Sequence, residues 1–225
     1  MIIRKYGLTL RRLQPEHLEL VRQQRNSDAI RRHMFYQKEI SQQEQQAWYA
    51  TNHNKYNYYF IIEYQQEFIG VISGKNVNYD AGVSEGGIFV WDQRYWNSFV
   101  PVMATVIMAD LTFLTMEFNR TLAEVRSDNA QQMHYNRMLG YVDEEPESKD
   151  VKRIMVLTKA NYLKVGGRIR RAVQRIGKDD TAVSVADFDF SGVSAAERRL
   201  LYTGHQPHLQ AIFDERFERL NSGEL

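Results

Sequence analysis

The stretch from Glu85 to Tyr141 holds the residue types whose spacing is best suited to chemistry. Glu85 leads a strand pattern, EGGIFVW, and a carboxylate at such a position can act as a general base. The strand is followed by a tight loop, DQRYWNS, and then by an apolar helix. Backbone N–H groups converge where such a helix begins, and the helix dipole adds positive charge, so this point favours phosphate. The alternative for Glu85 is a solvated carboxylate at a strand end.

The two helices that must position these residues have residues typical of helix starts and ends at their predicted termini. Ser98 is a predicted cap of the long helix, and Pro101 fits its first turn, where a missing N–H has no helical partner. Asn129 is predicted to cap a second, shorter helix, and Gly140 to end it in a left-handed conformation. The long helix carries a predicted buried stripe at helical spacing: Met103, Val106, Ile107, Leu111, Leu114 and Phe118.

This order of parts, a strand, a loop, an apolar helix, a strand LAEV and a short helix closed by LGY, resembles the GNAT family of acyl-CoA-dependent N-acetyltransferases. It is most similar to the branch of ribosomal-protein acetyltransferases and the aminosugar acetyltransferase of pseudaminic acid synthesis. The pair Arg25-Asn26 and the segment ISQQEQQAWY resemble the N-terminal half of that branch. The resemblance covers residues 1–165. It implies an α/β (α+β) fold, a mixed, mainly antiparallel sheet with a central V-shaped splay flanked by helices.

The loop before the long helix departs from the family pattern. The family's pyrophosphate loop reads Q/R-x-x-G-x-G/A, and the matching residues here are Arg94, Asn97 and Phe99. Asparagine is the best substitute for glycine where φ is positive, so Asn97 is expected to preserve the turn. A side chain at Phe99 is expected to stand where the family brings backbone close to phosphate.

The resemblance also implies roles for particular residues, with acetyl-CoA as co-substrate and no metal. The implied coenzyme contacts are Phe89, Val90, Trp91, Arg94, Tyr95, Trp96, Asn97, Ser98, Phe99, Asn129 and Asn136. The family's general acid is a tyrosine seven residues after Asn129, a position held here by Asn136. Tyr135, about 100° round the helix, is therefore the candidate acid, with His134 as an alternative.

Acceptor contacts are implied in the region between the first two strands of the family fold. Tyr36 and Tyr49 are the candidates there, whereas Trp48 is interpreted as a core residue. The family often keeps a carboxylate near the acceptor at the position of Glu85, so Glu85 is both a candidate acceptor contact and the candidate base, which takes the proton of the substrate ammonium through a water molecule. Ser41 and Glu44 form a capping box that predicts the helix carrying Trp48 and Tyr49. Two strand patterns, at 58–64 and 67–73, flank Gln65-Gln66. Because neither glutamine favours positive φ, the loop between these strands is predicted to exceed two residues.

Composition limits the classes of function. The chain has 225 residues, a net charge of +1 and no cysteine. The near-neutral charge gives no reason to expect nucleic acid or a membrane as partner, and no apolar run is long enough to span a bilayer. The lack of cysteine removes disulfides and thiolate sites. The charged N-terminal segment does not read as a secretory signal, so a cytoplasmic protein is expected.

Beyond the glycine pair Gly166-Gly167, residues 166–225 are predicted to form a C-terminal extension that is mixed and then helical. A cap at Ser194 and an amphipathic helix from about His208 to Leu220 lie within it. The apolar stripe of the last helix is too narrow for a core alone, so it is expected to pack on the main domain, on its twin in a homodimer, or on another partner. Two interpretations are open for the basic cluster of this segment, contact with an anionic ligand or, more commonly, a solvated helix face; the cluster consists of Arg168, Arg170, Arg171 and Arg175.

Three functions remain open from the sequence. The leading hypothesis is an N-acetyltransferase that acts on the primary amine of a small molecule, such as a nucleotide-linked amino sugar. The second is a non-catalytic binding or scaffolding module that has lost coenzyme A binding, for which Phe99 and Asn136 are the evidence. The third is a protein N-terminal acetyltransferase, whose open acceptor groove a tail docked across it would obstruct.

Overall fold

The computed structural model describes residues 1–146 and 150–223. Within these residues, nine strands form one sheet. The strands are β1 (Ile2–Lys5), β2 (Leu8–Arg12), β3 (Tyr58–Tyr64), β4 (Glu67–Asn78), β5 (Val83–Val90), β6 (Arg120–Arg126), β7 (Val142–Asp143), β8 (Lys152–Thr158) and β9 (Phe188–Asp189).

Helices cover both faces of this sheet. They are α1 (Leu18–Asn26), α2 (Asp28–Arg31), α3 (Gln42–Asn52), α4 (Val100–Asp110), α5 (Ala130–Leu139), α6 (Lys159–Asn161), α7 (Gly167–Gly177), α8 (Ala195–Leu201) and α9 (Pro207–Ser222). A π-helical turn extends α4 over Leu111–Thr115, and a second one, Tyr162–Gly166, joins α6 to α7. No helix in the described part of the chain is long and apolar enough to cross a membrane.

The sheet opens at its centre, between β5 and β6. The strand order is β7-β8-β6-β5-β4-β3-β2-β1-β9, and β5 and β6 form the parallel pair of an otherwise antiparallel sheet. They are paired only from Val83 to Glu85, whereas β5 stays paired with β4 as far as Val90. The predicted mixed, mainly antiparallel sheet with a V-shaped splay is confirmed.

Helix α4 fills the core on one side of the splay. Nearly all of its residues are buried, so the helix is apolar on all sides. It packs with alternate residues of β3, including Phe60 and Ile62, in the largest apolar cluster. On the opposite face of the sheet, α1 and α3 cover Ile61 and Val71. The two faces of the splay are therefore lined by different helices.

The C-terminal segment packs on the α4 face of the sheet. Leu209, Phe213 and Phe217 of α9 are buried in the same cluster as α4. A buried ion pair reinforces this docking, since Arg170 Nε lies 3.0 Å from a carboxylate oxygen of the fully buried Asp110. Of the arrangements left open by the sequence, the structure shows packing on the main domain.

The glycine pair expected at the domain boundary lies inside a helix. Residues 159–177 are helical throughout, from α6 through the π turn to α7. A Cβ added at Gly166 would lie 2.9 Å from the ring of Tyr162 and 3.0 Å from the carbonyl of Leu139, so glycine permits a close helix approach there. The division into segments 1–165 and 166–225 stays a prediction, and residues 224 and 225 lie outside the described part.

The turn between β3 and β4 is shorter than expected. Gln65 and Gln66 alone join the two strands, with φ of 50° and 67°. The prediction of a longer loop is therefore wrong. The two positive φ angles give a turn whose twist matches that of the flanking strands, and strand pairing on both sides outweighs the poor local preference of glutamine.

Candidate active site

The main chain of β5 turns backbone groups towards the splay. The backbone N–H of Trp91 donates to the carbonyl of Ile69 at 2.9 Å, so this residue faces β4. Backbone groups alternate in direction along an antiparallel strand, and Ile88 and Val90 therefore turn theirs towards the gap. These groups lie in the segment that has left β6 and can hold an extended ligand by strand-like hydrogen bonds.

Trp96 is hydrogen-bonded to one of these backbone groups. Its indole nitrogen donates to the carbonyl oxygen of Val90 at 2.7 Å, and the half-buried ring packs on the α4 core. The other predicted coenzyme contacts of β5 lie on the opposite face, where Phe89 and Trp91 pack together with ring centroids 6.1 Å apart. The indole of Trp91 donates to the carbonyl of Phe68, away from the gap.

The loop before α4 keeps its shape without a left-handed residue. The positive-φ residues in the described part of the chain do not include Asn97, so the expectation that Asn97 supplies positive φ is wrong. The backbone N–H groups of Trp96 and Ser98 instead donate to the carbonyls of Gln93 and Tyr95, which winds the loop into consecutive tight turns.

At the start of α4, Phe99 is the N-cap residue and Pro101 lies in the first turn, as predicted. Ser98 caps from one position earlier, because its Oγ accepts from the N–H of Val100 at 3.2 Å. The Phe99 side chain is 51% exposed, so it points to solvent and lies at the surface of the predicted phosphate site. The helix start remains accessible as an anion site.

Arg94 is engaged by two carboxylates. Its guanidinium forms ion pairs with Asp92 and Glu67, and these hydrogen bonds raise the pKa of Arg94. It also lies over the ring of Tyr95, 5.5 Å from the centroid, and Tyr95 meets Tyr64 edge to face. The predicted phosphate-binding arginine is thus neutralised by neighbours, and a phosphate would compete with them.

Helix α5 begins at the same mouth. Asn129 caps it, as predicted, by accepting from the N–H of Gln132 at 3.0 Å, and Gly140 ends it with φ of 100°. Asn136 is buried, and its carbonyl oxygen accepts from the side chain of Gln132 at 2.9 Å. Asn136 therefore lies within the helix packing, behind the surface that a coenzyme would contact.

Tyr135 is directed into the α4–α5 interface. Its hydroxyl lies 2.7 Å from Oγ1 of Thr105 and donates to the carbonyl of Pro101 at 3.1 Å. Burial raises the pKa of Tyr135, so the phenol stays protonated. His134, its alternative, is exposed on α5. The phenol of Tyr135 therefore links α4 and α5, and its proton takes part in a hydrogen bond within that interface.

Glu85 lies where β5 and β6 separate, on the face of α1 and α3. Its carboxylate forms an ion pair with Lys75 and accepts from the side chain of Asn76 at 2.9 Å. Asn76 has φ of 52° at an irregularity in the β4–β5 register, and this bulge directs both partners to Glu85. Sequence reasoning missed Lys75 and Asn76; the one available signal was an asparagine, a residue that tolerates positive φ, inside a strand pattern.

Aromatic rings flank Glu85 on this face. Trp48 meets Tyr59 edge to face with centroids 4.8 Å apart, and burial together with the charge of Glu85 raises the pKa of Tyr59 to about 12. Trp48 is partly buried against the core cluster. Tyr36 is 47% exposed in the segment after α2, and Tyr49 stacks on His53 beside β2. Tyr59 is thus the ring on which the charge of Glu85 acts, and Trp48 packs on Tyr59, whereas Tyr49 packs on His53.

Tyr141 is a second residue that sequence reasoning missed. It is buried, and a Cβ added at Gly86 would lie 3.5 Å from its hydroxyl oxygen. A Cβ at Gly86 would also lie 3.7 Å from Oγ1 of Thr121, and burial raises the pKa of Tyr141. In the sequence, Tyr141 is only the residue that follows the predicted helix end at Gly140, and nothing there predicts its position next to Gly86. No group of three or more histidine, cysteine, aspartate or glutamate side chains that could hold a metal ion occurs in the described residues.

Solved structures share the fold of this chain. The spermidine N-acetyltransferase from Vibrio cholerae in complex with CoA and spermine has a TM-score of 0.62 and 21% identity, covering 70% of this chain and 98% of that one. A domain from Methanocaldococcus jannaschii has a TM-score of 0.58 and 15% identity, covering 67% and 97%. These similarities concern the fold.

A comparison of sequences identifies the family. No curated protein matches the chain. Residues 7–142, more than half of the 225, match the family model of the acetyltransferase (GNAT) domain. The chain therefore belongs to the GNAT acetyltransferase family.

Proposed function

We propose that this protein transfers the acetyl group of acetyl-CoA to the primary amine of a small molecule. The observation that carries this proposal is the splay, in which Ile88 and Val90 turn backbone groups into a gap that ends at Glu85. The strand supplies donors and acceptors for the amides of pantetheine, and the starts of α4 and α5 supply N–H groups for the diphosphate.

In this mechanism acetyl-CoA supplies the thioester, and the protein positions and deprotonates the amine. Main-chain N–H groups of β5 polarise the thioester carbonyl, as fixed dipoles do in other acyl transfers. Glu85 takes the proton of the substrate ammonium through a water molecule. Its ion pair with Lys75 keeps the carboxylate oriented until the amine arrives.

The acceptor we favour is an amino sugar on a nucleotide carrier, the substrate type of the branch that the N-terminal half resembles. Lys75 offsets the charge of Glu85, so this face gives a polycation little electrostatic attraction. Trp48 and Tyr59 offer ring faces and edges that can contact a sugar or a base. The solved spermidine acetyltransferase binds spermine, and a polyamine is therefore the comparison substrate.

A module that has lost coenzyme A binding is the second candidate. Two observations favour it: Trp96 already occupies the Val90 carbonyl, and Arg94 is paired with Asp92 and Glu67. The third candidate, acetylation of a protein N-terminus, needs an acceptor groove that the tail does not obstruct. Helix α9 packs on the α4 face, opposite Glu85, whereas Glu197 of α8 accepts from the side chain of Gln14, just ahead of α1, at 2.6 Å.

Thermal unfolding with and without acetyl-CoA tests the proposal. At a hundredfold excess over Kd, ligand binding to the folded state stabilises it by about 2.7 kcal/mol. A shift in Tm with acetyl-CoA, followed by acetylation of a nucleotide-linked amino sugar in preference to spermidine and to peptide N-termini, is the expected result. No Tm shift at millimolar acetyl-CoA would overturn the proposal in favour of the binding module.

A further inference from the structure

The bulge that orients Glu85 is itself held by a loop from another part of the chain. Asn76 has φ of 52°, a left-handed backbone conformation that a residue with a side chain keeps only when its surroundings impose it. The backbone N–H of Asn76 donates to Oδ1 of Asn57 at 3.1 Å, and Asn57 belongs to the α3–β3 loop, residues 53–57. The Asn76 side chain, which donates to Glu85 at 2.9 Å, therefore starts from a backbone that this loop holds.

Hydrogen bonds within the α3–β3 loop and from β2 fix the position of Asn57. Oδ1 of Asn54 accepts from the N–H of Tyr56 at 2.9 Å and from the side-chain amide of Asn57 at 3.1 Å. The guanidinium of Arg12, a residue only 2% exposed, donates to the carbonyls of Asn54 at 3.0 Å and of Asn57 at 2.7 Å. Both the backbone and the side chain of Asn57 are thus held while its oxygen accepts from Asn76.

The C-terminal segment contacts the same loop. Residues 202–206 form the α8–α9 connection, and the Nζ of Lys55 in the loop donates to the carbonyl of Gly204 at 2.6 Å. The side chain of Gln206 donates to the carbonyl of Tyr79, in the β4–β5 turn, at 2.5 Å. The hydroxyl of Tyr79 in turn donates to the carbonyl of Lys55 at 2.6 Å. The α8–α9 connection therefore links the α3–β3 loop to the turn that follows the bulge.

Resting on the function proposed above, we infer that Asn57 is a positioning residue for Glu85 and that the α8–α9 connection supports it. The connection and Arg12 hold the α3–β3 loop, Asn57 holds the left-handed Asn76, and Asn76 directs the carboxylate of Glu85. Asn57 acts through Asn76 and takes no proton itself. The α8–α9 connection lies outside residues 7–142, which match the family model, so the chain adds this support to the family domain.

Attachment of the tail is the competing role for these contacts. The apolar face of α9 and the ion pair of Arg170 with Asp110 already join the tail to the domain. The hydrogen bond between Lys55 and Gly204 is exposed, so it adds little to that attachment. A role in positioning predicts an effect on catalysis that passes through Asn76, and a role in attachment does not.

A double-mutant cycle in acetyl transfer tests the inference, with kcat, KM and Tm measured for wild type, Asn57→Ala, Asn76→Gly and the double variant. Asn57→Ala removes the acceptor of the Asn76 N–H and should lower kcat about 5-fold, with KM for acetyl-CoA within about threefold of wild type. Glycine adopts positive φ without help but lacks the amide that reaches Glu85, so Asn76→Gly should lower kcat about 10-fold. The double variant should have the kcat of Asn76→Gly, because Asn57 then has nothing left to position.

Wild-type kcat in Asn57→Ala, or losses that multiply in the double variant, would overturn the inference while leaving the proposed function intact. Absence of acetyl transfer in the wild type would overturn the proposed function and this inference with it. The two failures are therefore distinguishable.

Lys55→Met tests the contribution of the α8–α9 connection and serves as the second variant if Asn57→Ala does not fold. Loss of the bond to Gly204 should lower kcat about 2 to 5-fold in the wild type and cause no further loss in Asn76→Gly. Arg4→Met is the matched control, because its ion pair with Asp189 at 2.8 Å joins the tail to β1. It should keep wild-type kcat, and equal kcat in Lys55→Met and Arg4→Met would overturn the role of the connection.

Discussion

The indole N–H of Trp96 donates to the carbonyl oxygen of Val90 at 2.7 Å, across the mouth of the splayed strands. Val90 is the last residue of β5, and its carbonyl faces the gap that a pantetheine arm would enter. The side chain thus occupies a main-chain acceptor that the proposed coenzyme needs. When coenzyme binds, either the pantetheine arm replaces Trp96 as the donor to the Val90 carbonyl, or the Trp96 bond stays and blocks the mouth of the splay.

Trp96→Phe should therefore strengthen binding of acetyl-CoA. A neutral hydrogen bond contributes about 0.5 to 1.5 kcal/mol, so release of the Val90 carbonyl is expected to lower Kd by about 2 to 10-fold in calorimetric titration. Trp91→Phe is the matched control, because that indole donates to the carbonyl of Phe68 outside the gap. Weaker binding by Trp96→Phe alone would mean that the indole itself contacts the coenzyme.

The local sequence signals predicted much of the fold because they act over a few residues. The Ser41–Glu44 capping box, the Asn129 cap and the left-handed Gly140 are all present. At Gln65-Gln66 the pairing of β3 with β4 determines the turn, and it imposes positive φ angles that glutamine does not favour. The conformational preference of a single residue has little influence where two long strands are paired on both sides of it.

The site was predicted less fully because its partners come from distant parts of the chain. Glu85 was predicted from its place at a strand start, but its ion pair with Lys75 depends on a bulge at Asn76. The spacing from Asn129 predicts Tyr135 as the general acid, but its hydroxyl points into the interface between α4 and α5. The direction of a side chain follows from packing, which spacing does not record.

Lys75→Met should lower kcat/KM for acetyl transfer. The ion pair with Lys75 holds the carboxylate of Glu85 in place, and its loss leaves Asn76 as the remaining partner of that carboxylate given by the structure. Loss of a contact to a charged group is expected to lower kcat/KM by about 10-fold. Lys164→Met, at an exposed position of the π turn before α7, is the control and should keep the wild-type value. An unchanged kcat/KM in Lys75→Met would count against Glu85 as the base.

Acid should weaken the attachment of the C-terminal segment at Lys5. Hydrogen bonds from Lys5 and then Thr181 lower the pKa of Asp179 to about 2. Because the folded pKa lies below the unfolded value of about 3.9, this contribution is present above pH 4 and is lost as pH falls towards 2. Asp179→Asn should flatten the dependence of unfolding free energy on pH in this window. Asp180→Asn, exposed beside it, should follow the wild type.

Removal of the partly buried Arg170 side chain should destabilise the whole protein. Asp110 is fully buried and is bonded by Arg170, by the hydroxyl of Tyr162 at 2.6 Å and by the N–H of Val183 at 3.2 Å. Arg170→Met leaves this carboxylate without its counter-charge, and breaking a buried pair in this way costs about 3 kcal/mol or more. Urea unfolding should show this loss in a single transition, because α4 and the tail share one core.

Arg171→Met is the control for that measurement. It removes an exposed arginine of the same helix, so the unfolding free energy should change by less than about 0.5 kcal/mol. Two separate transitions in Arg170→Met, one of them at wild-type urea concentration, would instead show that residues 1–165 fold without the tail. Since the ion pair lies on the far side of α4 from Glu85, wild-type kcat in the surviving folded fraction would accord with a structural role for the extension.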